Sequence, residues 1–401
     1  MKILFINSTY GVGSTGKIVQ YLANSCTKEG FDTYVCYAEG PSSNGNYFKF
    51  SSKFDTKVNS FISHIFGNYG FEAYSSTKRL VKRIKEIQPD VVHIHNIHSH
   101  DVKIDLLINC LKDIKCKVLF TMHDCWAYTG YCPYYTYISC NKWQTECNHC
   151  PLRKQFSFLF DRSKSNQERK RDNLNSIKPI IVSPSAWLKG ETNKSFLQGS
   201  QTYVINNGVN QSIFQKNKSK LRDELGLNDY IVVLGVAYQF DSRKGIEDFL
   251  RLANDLPETH KLILIGSISK QYKIPNNVTH IEKTNDQSEL ADYYNMADIF
   301  INPTKEDNFP TTHIEAISCG CPVVSYDVGG ACEVIDKYNG VHINANDYGS
   351  LLKTIVHWDS KSFDRNQIAQ RAKIYSDEVF CKKYIDLYKE VFKQTTLFDL
   401  K

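Results

Sequence analysis

The chain has 401 residues, 41% apolar and 23% charged, with a formal net charge of +6 at pH 7. That length predicts two domains of roughly 150–200 residues each, and the balance of apolar to charged residues excludes a disordered chain. No uninterrupted apolar run reaches the roughly 18–20 residues needed to span a bilayer, and no run of Lys and Arg points to nucleic acid as a partner.

Taken in chain order, KILFIN (2–7) reads as a buried first strand, because its apolar run is too short for a signal peptide. Further strands are predicted at 33–37, 90–95 (DVVHIH), 117–122 (KVLFTM), 179–183 (PIIVS) and 202–206, with helices at 18–28 and 77–87 between them. Such alternation means βαβ units and a parallel sheet. The strands are apolar on both faces, as strands covered on two sides are. After Asn206-Asn207-Gly208-Val209 the pattern restarts. Strands are predicted at 231–236, 261–266, 278–282, 298–302, 322–326 and 340–343, with helices at 245–256, 288–297 and 348–358. The expected fold class is α/β, with two doubly wound domains at 1–208 and 209–376 joined near 207–214. A C-terminal segment, 377–401, carries a last helix at about 377–392 that can pack on either domain, including back on the first. Two stretches break the rhythm: residues 54–71 are aromatic-rich, and residues 125–160 lack any period and carry Cys, Tyr and Trp.

The richest chemistry lies in DIFINPTKEDNFPTTHIEAISCGCPVVSYDVGG (298–330), which reads as strand, acidic loop, short helix, strand and glycine turn. The loop 305–310 lies beyond the carboxyl end of a parallel strand, where open α/β sheets bind ligands. Pro310, Thr311 and Thr312 open the helix and Gly320 closes it. A helix N-terminus offers backbone N–H groups and a positive dipole end, which suit a diphosphate. Asp307 in the loop and Glu315 on the helix can face a ligand at different depths, and carboxylates suit bidentate hydrogen bonds to sugar hydroxyls. Ser242-Arg243-Lys244-Gly245 follows another strand, and its two cations can neutralise a diphosphate leaving group.

In the first domain, Tyr10–Lys17 (YGVGSTGK) links a strand to a helix, and its glycines let backbone approach a ligand closely. The string matches the phosphate loop of nucleotide hydrolases, except that Ile18 stands where a Mg²⁺-binding Ser or Thr is needed. His123-Asp124 ends the strand KVLFTM. In HIHNIH, alternation sets His93 and His95 on one strand face, where a packed role competes with zinc. Cys132, Cys140, Cys147 and Cys150 are spaced C-x7-C-x6-C-x2-C. That spacing is compatible with tetrahedral structural zinc, and equally with reduced, buried thiols. The thirteen cysteines overall are scattered and odd in number, which points to a reducing, cytoplasmic setting. Residues 58–66 and 78–85 pair an aromatic face with a basic one, as a peripheral contact with an anionic membrane does; ordinary amphipathic helices explain the same pattern.

These motifs resemble the retaining GT-B glycosyltransferases, group 1 or family 4 type, in their bacterial polysaccharide-assembly branch. The resemblance rests on Asp307-x7-Glu315, Cys319–Val324, Asp327–Gly330, Arg243-Lys244-Gly245, NNGVNQSIF and VSPSAWL, which come in the family's order. It implies two Rossmann-like domains facing across a cleft. It also implies transfer of a sugar from a UDP- or GDP-type nucleoside diphosphate sugar to a hydroxyl of a glycan or lipid-linked acceptor. By the same resemblance Glu315 binds the ribose, and Asp307 or Glu306 contacts the donor sugar. Arg243 and Lys244 hold the pyrophosphate beside Thr311 and Thr312. Gly13 lies across from the donor phosphates and His123 by the donor sugar, and no cofactor is required for catalysis. The setting it implies is O-antigen, capsule or exopolysaccharide assembly at the inner face of the cell membrane. A phosphate-loop hydrolase, a sugar-nucleotide epimerase and a catalytically silent GT-B binding subunit are the competing classes.

Overall fold

The computed structural model describes residues 1–114 and 116–398, the side chains of 394–398 excepted. The chain divides into two compact units, Met1–Asn206 with Phe380–Lys401, and Asn207–Val379.

The first unit is built on seven parallel strands: β1 (Lys2–Thr9), β2 (Asp32–Glu39), β3 (Tyr47–Lys49), β4 (Val91–Ile94), β5 (Lys117–Thr121), β6 (Ile180–Ser183) and β7 (Thr202–Val204). They lie in the order β3-β2-β1-β4-β5-β6-β7. The two-faced apolar strands explain the layering. Leu4 and Ile6 pack with Val92, Ile94 and Phe120 against Leu80, Ile84 and Leu107. Ile3 and Phe5 pack on the other face with Val91 and Leu119 against Ile18, Leu22, Tyr384 and Tyr388. The helix Asp377–Phe398 thus supplies core to the first unit. Within it, Tyr388 Oη lies 2.6 Å from His93 Nδ1 and Tyr384 Oη 2.8 Å from Thr121 Oγ1.

The second unit holds six parallel strands: β8 (Ile231–Phe240), β9 (His260–Ile268), β10 (Val278–Ile281), β11 (Ile299–Asn302), β12 (Val323–Asp327) and β13 (Gly340–Asn344), ordered β10-β9-β8-β11-β12-β13. Both sheets therefore run 3-2-1-4-5-6 from one edge, the order of a nucleotide-binding doubly wound fold. In each, the chain reverses its direction of progress between the first and fourth strands.

Several elements escape the sequence pattern. The edge strand β3 is only three residues long. β8 runs past Val236 to Phe240, with a register irregularity between Val236 and Gln239. The aromatic stretch near 54–71 contains a helix, Lys53–Phe66, opened by a capping box in which Ser52 and Asp55 satisfy each other's backbone N–H groups. Helices Ile104–Ile114 and Ser163–Ile177 are further additions.

Candidate active site

In the second unit, the switch point falls between β8 and β11, and the basic and acidic loops both spring from it. Gly245 is what allows them to nest. Its φ is +72°, and a Cβ there would sit 2.1 Å from the carbonyl oxygen of Pro303. The close approach lets the Lys305 amide donate to the Arg243 carbonyl at 2.8 Å, with Thr304 Oγ1 donating to the same oxygen at 3.2 Å. Thr304 Oγ1 also contacts the Glu306 carbonyl at 3.0 Å. Arg243 Nη1 reaches that carbonyl at 3.5 Å. Lys244 Nζ pairs with the Asp307 carboxylate. Burial pushes the Asp307 carboxyl up, but Lys244 and Arg243 together outweigh it and hold the group below the usual carboxylate range.

The helix Thr311–Ser318 begins beside this pair. Pro310 is its N-cap, and no side chain caps it, so Thr311 and Thr312 stand at a helix start suited to an anion. Asn207 Nδ2 donates to the Phe309 carbonyl at 2.9 Å, tying the linker to the loop. One turn into the helix, Glu315 is half-buried and accepts from Tyr294 Oη at 3.1 Å. His313 is buried between Asn302 Nδ2, 2.8 Å from its Nε2, and the Ala331 carbonyl, 3.0 Å from its Nδ1. The sequence reading did not single out Tyr294 and His313. Their signal was faint: a Tyr inside an ordinary helix, and a His two residues from the assigned carboxylate. Arg243, Lys244, Glu306, Asp307, Thr311, Thr312 and Glu315 thus fall in one loop-and-helix region.

In the first unit, Gly13 opens the helix Gly13–Lys28 with φ +65°. Gly11 also has positive φ, and a Cβ on Gly16 would lie 2.8 Å from Thr9 Oγ1, so all three glycines have local reasons. Only Tyr10, Gly11 and Val12 separate β1 from the helix. A phosphate loop needs a longer stretch of non-helical backbone to wrap a phosphate; the hydrolase reading of this segment is thereby corrected.

His123 follows β5, and its Nε2 lies 3.0 Å from His95 Nδ1 with the rings stacked at 5.3 Å. Burial lowers its pKa to about 4, with Asp124 pulling the other way and His98 adding to the fall. His98 Nε2 pairs with Asp124 at 2.8 Å and its Nδ1 meets Tyr69 Oη at 3.1 Å. A small cavity is lined by His95, His98, His123, Asp124 and Trp126, among others. His93 is satisfied on both nitrogens, by Tyr388 and by Thr121 Oγ1 at 2.7 Å. It fills a structural place and is not a zinc ligand.

The cysteines 132, 140, 147 and 150 are free thiols that line one further cavity. Among the described residues, the set of three ligand-type atoms gathered within 4.8 Å of one another is a different one, Asp327, Cys332 and His342. There His342 Nε2 is engaged with the Ile335 carbonyl at 2.8 Å, and Cys332 Sγ contacts the Tyr326 carbonyl at 3.4 Å.

Residues 217–375 match the family described as glycosyl transferases group 1, and residues 15–212 match glycosyltransferase family 4. A putative colanic acid biosynthesis glycosyl transferase, WcaC of Escherichia coli (strain K12), is 22% identical over 98% of this chain and 100% of its own length. An alpha-monoglucosyldiacylglycerol synthase of Acholeplasma laidlawii is 25% identical over 80% of each. The crystal structure of Anabaena HepE in complex with UDP-glucose superposes with a TM-score of 0.70 at 15% identity, over 97% of this chain and 100% of that one. With doubly wound sheets in both units and these matches along nearly its whole length, the chain belongs to the group 1 glycosyltransferases and has their GT-B fold.

Proposed function

We propose that this enzyme moves a sugar from a nucleoside diphosphate sugar to a hydroxyl of a glycan or lipid-linked acceptor in the assembly of a bacterial-type surface polysaccharide. The observation that carries the reading is the nesting of the Arg243–Gly245 and Lys305–Asn308 loops at the β8/β11 switch point, beside a helix start that no side chain caps. Arg243, Lys244 and the amides near Thr311 take the charge that develops on the diphosphate as the glycosidic bond breaks. Lys244 is paired with Asp307. A diphosphate that captures Lys244 therefore releases the Asp307 carboxylate to accept from sugar hydroxyls, so binding of the leaving group and grip on the sugar are coupled. Glu306 is the alternative carboxylate for that contact. Glu315, oriented by Tyr294, accepts from the ribose. UDP- and GDP-sugars are the donor class, in keeping with the UDP-glucose held by HepE. Retention at the anomeric carbon belongs to the same proposal and rests on the likeness of 307–315 to retaining members.

The acceptor side has support of its own. The helix Lys53–Phe66 turns apolar side chains to solvent: Phe54 is 76% and Phe61 66% exposed. Against its end sits the segment Phe158-Leu159-Phe160, whose first amide donates to the His64 carbonyl. Phe158 and Leu159 are 62% and 63% exposed. Lys53, Lys57, Lys154 and Arg162 are exposed close by in the chain. An apolar face with basic residues about it suits an anionic bilayer carrying a lipid-linked acceptor. The helix Tyr74–Ile87 is different, because Leu80, Ile84 and Ile87 bury its apolar face in the core. Among the described residues no helix is long and apolar enough to cross a membrane.

The test is the pair Arg243→Ala and Lys244→Ala in one chain. Sugar transfer and donor binding should both collapse, and a variant that keeps both refutes the site. A thermal-shift panel of UDP-, GDP-, ADP- and CMP-sugars identifies the donor, since the one that binds raises the melting temperature by mass action.

A further inference from the structure

The stretch 125–162 contains only three short 3₁₀ turns and a four-residue helix. A connection this long without regular structure needs a fastening. Its backbone is pinned around each of four cysteines. Thr129 Oγ1 donates to the Cys132 carbonyl at 2.6 Å, and Trp143 Nε1 to the Cys140 carbonyl at 3.1 Å. The Cys147 amide donates to Gln167 Oε1 at 2.6 Å, and the Cys150 amide to Asp161 Oδ2 at 2.7 Å. Between the last two cysteines, His149 takes a left-handed conformation with φ 41°, a tight turn within the C-x2-C pair. All four residues line one cavity of about 20 Å³, room for a single small occupant.

One contact favours a cation over four idle thiols: the Gly130 amide donates to Cys147 Sγ at 3.3 Å, the kind of hydrogen bond that supports a metal-bound thiolate.

We propose that Cys132, Cys140, Cys147 and Cys150 bind one structural zinc ion that fastens this loop to the first unit. Four soft thiolates in tetrahedral array select zinc. No three of the four sulfurs lie within 4.8 Å of one another, so binding draws them together by rotation of the side chains. Thiolates are ligands only when deprotonated, so binding releases protons and the metal's binding energy adds to folding.

The experiment is elemental analysis of the full chain, purified with reductant and zinc and then dialysed. About one zinc per chain is expected, together with a fall in melting temperature on adding a strong zinc chelator. Cys147→Ser and Cys150→Ser should each lower zinc to well below one equivalent, while Cys116→Ser, outside the cluster, keeps it. Cobalt(II) offered to the metal-free chain should give a thiolate-to-metal charge-transfer band, which keeps the proposal testable if the serine variants fail to fold. Zinc well below one equivalent in the folded parent chain overturns the proposal, as does full zinc in folded Cys147→Ser.

Discussion

Gly245 carries the sharpest single-residue constraint in the basic loop, because it combines positive φ with backbone contact. Gly245→Ala should cost about 2 kcal/mol or more, read by urea denaturation; a loss within about 0.5 kcal/mol would mean that the two loops do not nest. His313 sets a pH dependence. Burial holds its imidazole down at about 4, below the ordinary 6.5. As the pH falls, the unfolded chain takes up the proton first. The contribution is therefore whole above about pH 6.5 and is lost as the pH falls toward 4, on the order of 3 kcal/mol. In His313→Asn that part of the slope should vanish, whereas an unchanged stability–pH curve counts against a buried neutral ring. Tyr294→Phe removes the hydroxyl that orients Glu315. It should raise the donor KM several-fold with a smaller effect on kcat, since the contact serves binding of the ground state and the transition state alike.

At the scale of elements, the helix Lys53–Phe66 separates stability from surface function. Phe54 and Phe61 face solvent, so replacing both with Ser should leave unfolding within about 0.5 kcal/mol of the parent. Binding to vesicles rich in anionic lipid should fall at least several-fold, measured by co-sedimentation, and undiminished binding would sink the membrane proposal. Ser52→Ala, by contrast, opens the capping box and should cost about 1 kcal/mol. The strand pattern was largely legible because parallel strands covered on both faces are short apolar runs, as Ile3–Ile6 and Val232–Leu234 are. What the pattern hid follows from weak periodicity. β3 has three half-buried residues, and Lys53–Phe66 exposes its apolar side, so neither displays the buried stripe that marks an element in sequence. Cap chemistry at Ser52 and Asp55 was the available signal for the helix.

At the scale of the whole molecule, the chain leaves its first unit at Asn206 and returns to it at Phe380. A chain ending before Phe380 loses Phe380, Tyr384, Leu387, Tyr388 and Val391 from the first unit's core and leaves His93 without its Tyr388 partner. Such a truncation should abolish the folded first unit, seen as loss of soluble product or of near-ultraviolet circular dichroism; a stable truncated protein would show that this core closes without the helix.

The sequence by itself determined the fold class and the reaction family, because both rest on local order: apolar runs of strand length, glycines where backbone must turn, and a basic and an acidic segment each following a strand. Its linear spacing also brought out Cys132, Cys140, Cys147 and Cys150. Only the tertiary structure decided which groups meet. It placed β8 next to β11, so that residues about sixty apart form the Lys244–Asp307 pair. It gave His93 its two hydroxyl partners, one of them 295 residues away, and it set the four cysteines around one cavity. Those contacts depend on strand order and on helix return, which no local pattern encodes, since hydrophobic periodicity specifies which face of an element is buried and not which element covers it.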